Sequence, residues 1–291
     1  MMSTKPRLYI IKNNLVEIKI LCPIWGHEHL PLFSFLEKVR IAGFDGLETW
    51  IPEYKSDRKI LYDYLQQFEM PLLAHQYQAQ GSTFQQFKAS FKKRLTECAA
   101  AQPILINSHT GRDWFTAQQN IELIDIAHNF FTKTGILVVH ETHRGRLGYS
   151  PQSATELFSL RDDYLITADF SHWTCVTESM LENFEPAIHE AIKRTRHVHA
   201  RIGYENGPQV PDPRASEWRY ASEKFLDWWE LIVLANKRSG RAVLTFTTEF
   251  GPPPYMPTVP FSNIPVADQF EVNCFMKDLL KSRYTDLAAS G

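Results

Sequence analysis

The sequence predicts an α/β fold, one closed (β/α)8 barrel followed by a Pro-rich C-terminal extension and a terminal helix. Three observations lead there. Short apolar runs alternate with longer amphipathic stretches almost from end to end, the runs number eight, and no GxGxxG or GxxxxGK[ST] passage marks the alternative, a doubly wound open sheet.

Strand-like runs fall at 17–23, 46–50, 71–76, 103–108, 136–141, 164–169, 197–202 and 242–249. Helical spacing covers 32–42, 57–68, 83–101, 117–134, 153–160, 178–194 and 217–239. Ser82-Thr83 and Ser150-Pro151 read as helix starts, because a hydroxyl can accept from a free first-turn N–H and proline is tolerated there. Gly43, Gly135 and Gly240 read as helix stops. The segment Gly251-Pro252-Pro253-Pro254-Tyr255-Met256-Pro257 can continue neither helix nor sheet, since proline donates no hydrogen bond. It is expected to cross the barrel rim before a last helix at 266–280. With no linker or repeat, residues 1–291 read as one domain, with a core at 17–251 and an extension at 252–291.

Composition narrows the partners. Of 291 residues 44% are hydrophobic, enough for a sizeable core. Thirty-one Lys and Arg against 33 Asp and Glu give a net charge of -2, which offers no electrostatic reason to expect nucleic acid or an anionic membrane. A small-molecule partner is the default. Cys22, Cys98, Cys175 and Cys274 lack CxxC spacing and are expected as reduced packing residues, and Met1 to Asn14 lacks an apolar signal core, so a soluble cytoplasmic protein is expected.

Chemistry concentrates in the second half. Val138-Val139-His140-Glu141, Ala168-Asp169, His197-Val198-His199-Ala200-Arg201 and Thr248-Glu249 each place metal-capable side chains at the end of an apolar run. In a parallel barrel those ends converge on one face. Strand alternation puts Leu137, Val139 and Glu141 on the interior side and turns His140 and Thr142 outward. His197, His199 and Arg201 share a face, with His199 best placed to reach a cation and Arg201 one step higher, toward an anionic or hydroxyl-rich substrate. Glu141, Asp169, His199 and Glu249 form a mostly hard donor set suited to one divalent ion, Mn²⁺, Mg²⁺ or Co²⁺ and less well Zn²⁺. Such an ion beside a carbonyl and a hydroxyl oxygen stabilises a cis-enediolate, with Glu141 and Glu249 as the acid/base pair. His172, expected in the loop after the sixth strand, can bind the cation or hold a substrate oxygen; the second is preferred. His75 and His109 end the third and fourth strands, where each lines the pocket or is a satisfied histidine. Trp25, Trp50, Trp114 and Trp173 lie at or just past strand ends, where a sugar ring could stack. Trp228 and Trp229 read as core; His27, His29, His128 and His189 read as surface.

These residues resemble the xylose-isomerase-like TIM barrel superfamily, in particular its sugar phosphate isomerase/epimerase branch. Ala42-Gly43-Phe44-Asp45-Gly46-Leu47-Glu48 is similar to the passage entering that family's second strand, and Ile106-Asn107-Ser108-His109-Thr110-Gly111 to its fourth-strand end. The resemblance implies Glu141, Asp169, His199 and Glu249 as metal ligands, Glu141 and Glu249 as acid and base, His172 as a substrate contact through the D-x-x-H step, and Glu48 as a substrate contact or a barrel support. It also leaves open a homo-oligomer. His199-Ala200-Arg201 departs from the family, which usually has a small or polar residue at the position of Arg201. The cationic loop Thr142-His143-Arg144-Gly145-Arg146 could receive phosphate or carboxylate. Three functions remain: a sugar isomerase or epimerase, an inosose- or dehydroshikimate-type dehydratase on the same metal site, and a non-catalytic ligand-binding barrel.

Overall fold

A computed structural model describes residues 15–289. Eight parallel strands close into a barrel in sequence order: β1 (Glu17–Pro23), β2 (Gly46–Thr49), β3 (Leu72–Gln76), β4 (Leu105–Ser108), β5 (Val138–Glu141), β6 (Ile166–Ala168), β7 (Thr195–His199) and β8 (Val243–Thr247). β8 returns to β1 with Glu17 opposite Val243 and Leu21 opposite Thr247. The helices between them are α1 (Leu32–Ile41), α2 (Lys55–Gln67), α3 (Phe84–Ala99), α4 (Ala117–Thr134), α5 (Pro151–Leu160), α6 (Phe170–Thr177), α7 (Glu185–Arg194) and α8 (Arg219–Arg238). Parallel neighbours need such crossovers, and their apolar faces bury the outside of the sheet.

The caps act as their chemistry requires. Thr83 accepts from the Gln86 N–H, and Ser150 accepts from the Ser153 N–H with Pro151 in the first turn. Gly43, Gly135 and Gly240 have φ of 76°, 73° and 71°, in the left-handed region that glycine enters without a Cβ clash. One apolar layer lies between helices and barrel, and includes Phe35, Leu36, Phe225, Trp228, Trp229 and Ile232. A separate, small cluster of Leu21, Leu73, Leu105 and Val139 sits inside the barrel. Because strand side chains alternate, Leu73, Leu105 and Val139 floor the positions that His75, Asn107 and Glu141 occupy two residues later.

Several expectations change. The sixth strand is only three residues long, and α6, which the sequence pattern did not reveal, starts at once with Asp169 as its N-cap. The helix expected at 178–194 begins at Glu185, because Glu178 and Leu181 are left-handed at φ 50° and 65° and Pro186 stands in the first turn. β7 starts at Thr195 and ends at His199, two residues before the expected span at one end and three at the other. His27 is buried and stacked on Phe35 with ring centroids 5.0 Å apart, so it is a core residue rather than a surface one.

Beyond β8 the proline segment crosses the mouth, where Tyr255 meets Trp25 edge-on at 5.0 Å. A two-stranded hairpin, β9 (Thr258–Val259) with β10 (Ile264–Pro265), follows and was not expected. The terminal helix α9 (Gln269–Ala289) starts later and runs further than the sequence pattern indicated. Two amides clamp the end of β8. Asn273 accepts from the Phe250 N–H at 3.0 Å and donates to its carbonyl at 2.9 Å, and Gln209 accepts from the Gly251 N–H at 2.7 Å. The backbone just after Glu249 is thereby fixed. The four thiols are unpaired, with Cys22 and Cys98 buried. Among the described residues no helix is long and apolar enough to cross a membrane, and the stretch before residue 15 lies outside them.

Candidate metal centre

Glu141 ends β5, Asp169 follows β6, His199 ends β7 and Glu249 stands two residues past β8. Their ligand atoms all lie within 4.8 Å of one another, and all four residues are buried. The barrel forces this convergence, since the carboxyl ends of adjacent parallel strands open on the same face.

The residues fit a divalent cation. Glu141 Oε1, Glu249 Oε2 and His199 Nδ1 are buried and make no aligned hydrogen bond. Glu249 Oε2 approaches His199 Nδ1 at 2.9 Å and Arg201 Nη1 at 3.5 Å, but neither approach is aligned as a hydrogen bond. Buried polar atoms are almost always paired, and orphans aimed at one point are what an ion would satisfy. Burial alone would raise the Glu141 carboxyl, yet His109 and His199 hold it well below the usual carboxylate range. His199 is pushed up despite burial, by Glu249, Glu48 and Glu141. Burial pushes Asp169 up to about 7 against the pull of Arg201.

Glu48 lies below the four. Both its oxygens lie 3.1 Å from His199 Nε2, and Oε2 lies 3.2 Å from His197 Nε2. Asn107, which the sequence pattern did not single out, donates to Glu48 Oε1 at 3.1 Å and to Glu141 Oε2 at 2.9 Å. With Nε2–H given to Glu48, His199 presents the Nδ1 lone pair to the centre, which is how a carboxylate fixes a ligating imidazole. Glu48 is buried and does not itself line the cavity above.

His109 and His75 both face the cavity. His109 Nε2 lies 3.0 Å from Glu141 Oε2, whereas His75 Nε2 lies 3.9 Å from the same oxygen. The two are also a second candidate group with Glu141.

Arg201 and His172 differ from expectation. Arg201 is 1% exposed and donates through Nη2 to Asp169 Oδ2 and, at 2.8 Å, to His172 Nε2, and through Nε to Ser171 Oγ at 3.1 Å. Its guanidinium is therefore tied to the protein as well as facing the cavity. His172 sits in α6 rather than a loop, is fully buried, and has its Nε2 lone pair taken by Arg201, so it does not reach the cavity as a substrate contact.

Above the centre lies a cavity of about 410 Å³ whose walls include Trp25, Trp50, Tyr77 and Tyr255. Trp25 is where a ring could stack. Trp173 is not: it is 0% exposed, stacked on Phe170, and its indole N–H is spent on the Gly148 carbonyl at 2.9 Å. Trp114 is exposed and lies outside the cavity wall. Tyr77, Tyr255, His143 and Arg146, which do line the cavity, come from loops whose approach no strand periodicity signals.

No protein-family model matches the chain, and no curated protein matches it by sequence. Solved structures do. A 3-keto-D-glucoside 4-epimerase of E. coli superposes at a TM-score of 0.59 with 12% identity, covering 91% of this chain and 100% of that one. A probable 3-DHS dehydratase of Bacillus anthracis gives 0.59 with 14% identity, covering 91% and 99%. D-allulose 3-epimerase of Methylomonas sp., solved with D-allulose, gives 0.59 with 14% identity, covering 92% and 98%. At these identities the likeness is one of fold alone: the chain is a (β/α)8 barrel like theirs.

Proposed function

We propose that this protein is a divalent-metal-dependent isomerase or epimerase of a small sugar or polyol-derived substrate. The observation that carries the reading is the convergence of Glu141, Asp169, His199 and Glu249, with unsatisfied buried donor atoms, beneath a cavity of sugar size. Residues 17–251 and the extension act together, because Tyr255 closes the wall that the strands leave open.

An ion on those four residues, Mn²⁺, Mg²⁺ or Co²⁺ by donor type, would supply the positive charge that stabilises an enediolate. The protein's own groups do the rest. Glu141 and Glu249 emerge from β5 and beyond β8, so they can face a bound carbon from two sides, one removing its proton and the other returning it. Asn107 and His109 both bond Glu141 Oε2, which orients the carboxylate and leaves Oε1 free. Trp25 and Trp50 line the cavity, where a sugar ring could pack against them. Loss of a β-hydroxyl from the same intermediate would make the product a dehydrated ketone, the lyase alternative.

The test has two parts. Metal analysis of purified protein should find bound divalent metal that Glu249→Gln reduces; protein without stoichiometric metal would remove the basis of the proposal and favour a ligand-binding barrel. Incubation with ketoses, inososes and dehydroshikimate in deuterated water should then give deuterium incorporation without water loss. An absorbing enone product instead would select the dehydratase.

A further inference from the structure

At one corner of the centre a metal-capable pair is already occupied. Asp169 Oδ2 and His172 Nε2 lie 3.6 Å apart, a carboxylate oxygen and an imidazole nitrogen aimed at one point, and both are bonded to Arg201 Nη2. The corner continues into further ligand atoms. His143 lies against His172 with ring centroids 3.8 Å apart and planes inclined by 50°, and Glu141, His143 and His172 have ligand atoms within 4.8 Å of one another. A carboxylate and two imidazoles within that reach would be a cation site if the guanidinium were not there.

Charge explains why something positive stands in the corner. Glu48, Glu141, Asp169 and Glu249 bring four buried carboxyl groups together, and one divalent ion cannot offset them alone. Arg201 carries a permanent positive charge in a planar fork that can serve several acceptors at once. The side chain is held in place rather than swinging. Ser171 Oγ accepts from its Nε, the Tyr255 ring lies 4.8 Å from its guanidinium carbon and the Trp25 ring 5.9 Å. Gly203, two residues on, is pressed so closely on Ser171 that a Cβ there would fall 2.8 Å from the Ser171 Cα.

We propose that Arg201 is a built-in cation that takes the place of a metal ion at the Asp169–His172 corner. The reading rests on the metal centre of the preceding section for its neighbour, but its test does not depend on that centre's activity. Residue 201 sets how many ions the barrel holds. With arginine there, His172 is a partner of the guanidinium and no ligand; without it, Asp169 Oδ2 and His172 Nε2 lose their shared partner and can hold a further ion beside the one the four-residue centre takes.

The experiment counts ions. Wild type, Arg201→Ala, His172→Gln and the double variant Arg201→Ala/His172→Gln are stripped with chelator, equilibrated with excess Co²⁺, desalted and analysed by mass spectrometry, with circular dichroism as the check on folding. Arg201→Ala is expected to hold one more Co²⁺ per chain than wild type, with added visible absorption from the new site, and the double variant is expected to return to the wild-type count. His172→Gln in the wild-type background is expected to leave the count unchanged, and this arm keeps the proposal testable where Arg201→Ala does not fold. Equal counts in wild type and folded Arg201→Ala, or loss of an ion in His172→Gln alone, overturn the proposal. A wild type holding no Co²⁺ refutes the metal centre on Glu141, Asp169, His199 and Glu249, and the difference between Arg201→Ala and wild type still decides the role of Arg201.

Discussion

Glu48→Gln isolates the support beneath the centre. Glu48 is 3% exposed; its hydrogen-bond contacts are His199 Nε2 at 3.1 Å, His197 Nε2 at 3.2 Å and Asn107 Nδ2 at 3.1 Å, with His75 Nδ1 further off at 3.9 Å. The substitution keeps volume and hydrogen-bonding capacity but removes the charge that holds the proton on His199 Nε2. A charge-assisted hydrogen bond contributes about 1.5–3 kcal/mol, and loss of such an outer partner costs roughly 10–100-fold in metal affinity. That is about 1.4–2.8 kcal/mol at 1.4 kcal/mol per tenfold. Competition titration with a chromophoric chelator reads it directly. Thermal unfolding gives a second reading, because stabilisation by excess metal follows RT ln(1 + [L]/Kd) and shrinks by the same amount. If Glu48→Gln binds metal as wild type does while Glu249→Gln has lost it, the carboxylate only fills space and the tautomer argument is wrong.

Two further expectations concern stability. His140, turned out of the barrel with Nδ1 2.7 Å from the Thr110 hydroxyl, is lowered by burial from 6.5 to about 3. Between those values the unfolded chain holds a proton that the native state does not, so stability rises with pH across the window and falls as pH drops below about 6.5, by about 1.4 kcal/mol per pH unit for one group. Urea titrations of wild type and His140→Asn from pH 6.5 to 4.5 should show a shallower acid loss in the variant; parallel curves would remove His140 from the account. A Cβ on Gly251 would fall 2.2 Å from the outer edge of the Trp25 ring. Gly251→Ala is therefore expected to cost about 1–3 kcal/mol as overpacking does, with a change in tryptophan emission as Trp25 leaves the cavity wall. An unchanged urea midpoint would show that the wall yields without cost.

The barrel was legible because its two periods are repeated: helices α4 and α8 present apolar faces at helical spacing, and the run that enters and forms β5 carries Leu137, Val139 and Glu141 on one side. That alternation alone placed Glu141 inward and His140 outward, and the structure has both so. α6 escaped because eight residues rich in β-branched and aromatic types, Phe170–Thr177, carry little helical signal, and their N-cap is the same Asp169 that reads as a metal ligand. The hairpin at Thr258–Pro265 escaped because prolines flank two-residue strands.

Sequence by itself determined the fold and the face on which polar groups gather, and it pointed to Glu141, Asp169, His199 and Glu249, whose ligand atoms the structure brings within 4.8 Å of one another, since the carboxyl ends of parallel strands open on one face. Tertiary structure decided the allegiances within that gathering: Glu48 and Asn107 beneath His199 and Glu141, His172 and Asp169 bound to Arg201, Trp25 on the wall and Trp173 in the core. The physical reason is range. Periodicity acts within one strand or helix, whereas these contacts join residues from 29 positions apart, Arg201 with His172, to 151, His199 with Glu48. Only closure of the barrel brings such residues within hydrogen-bond distance.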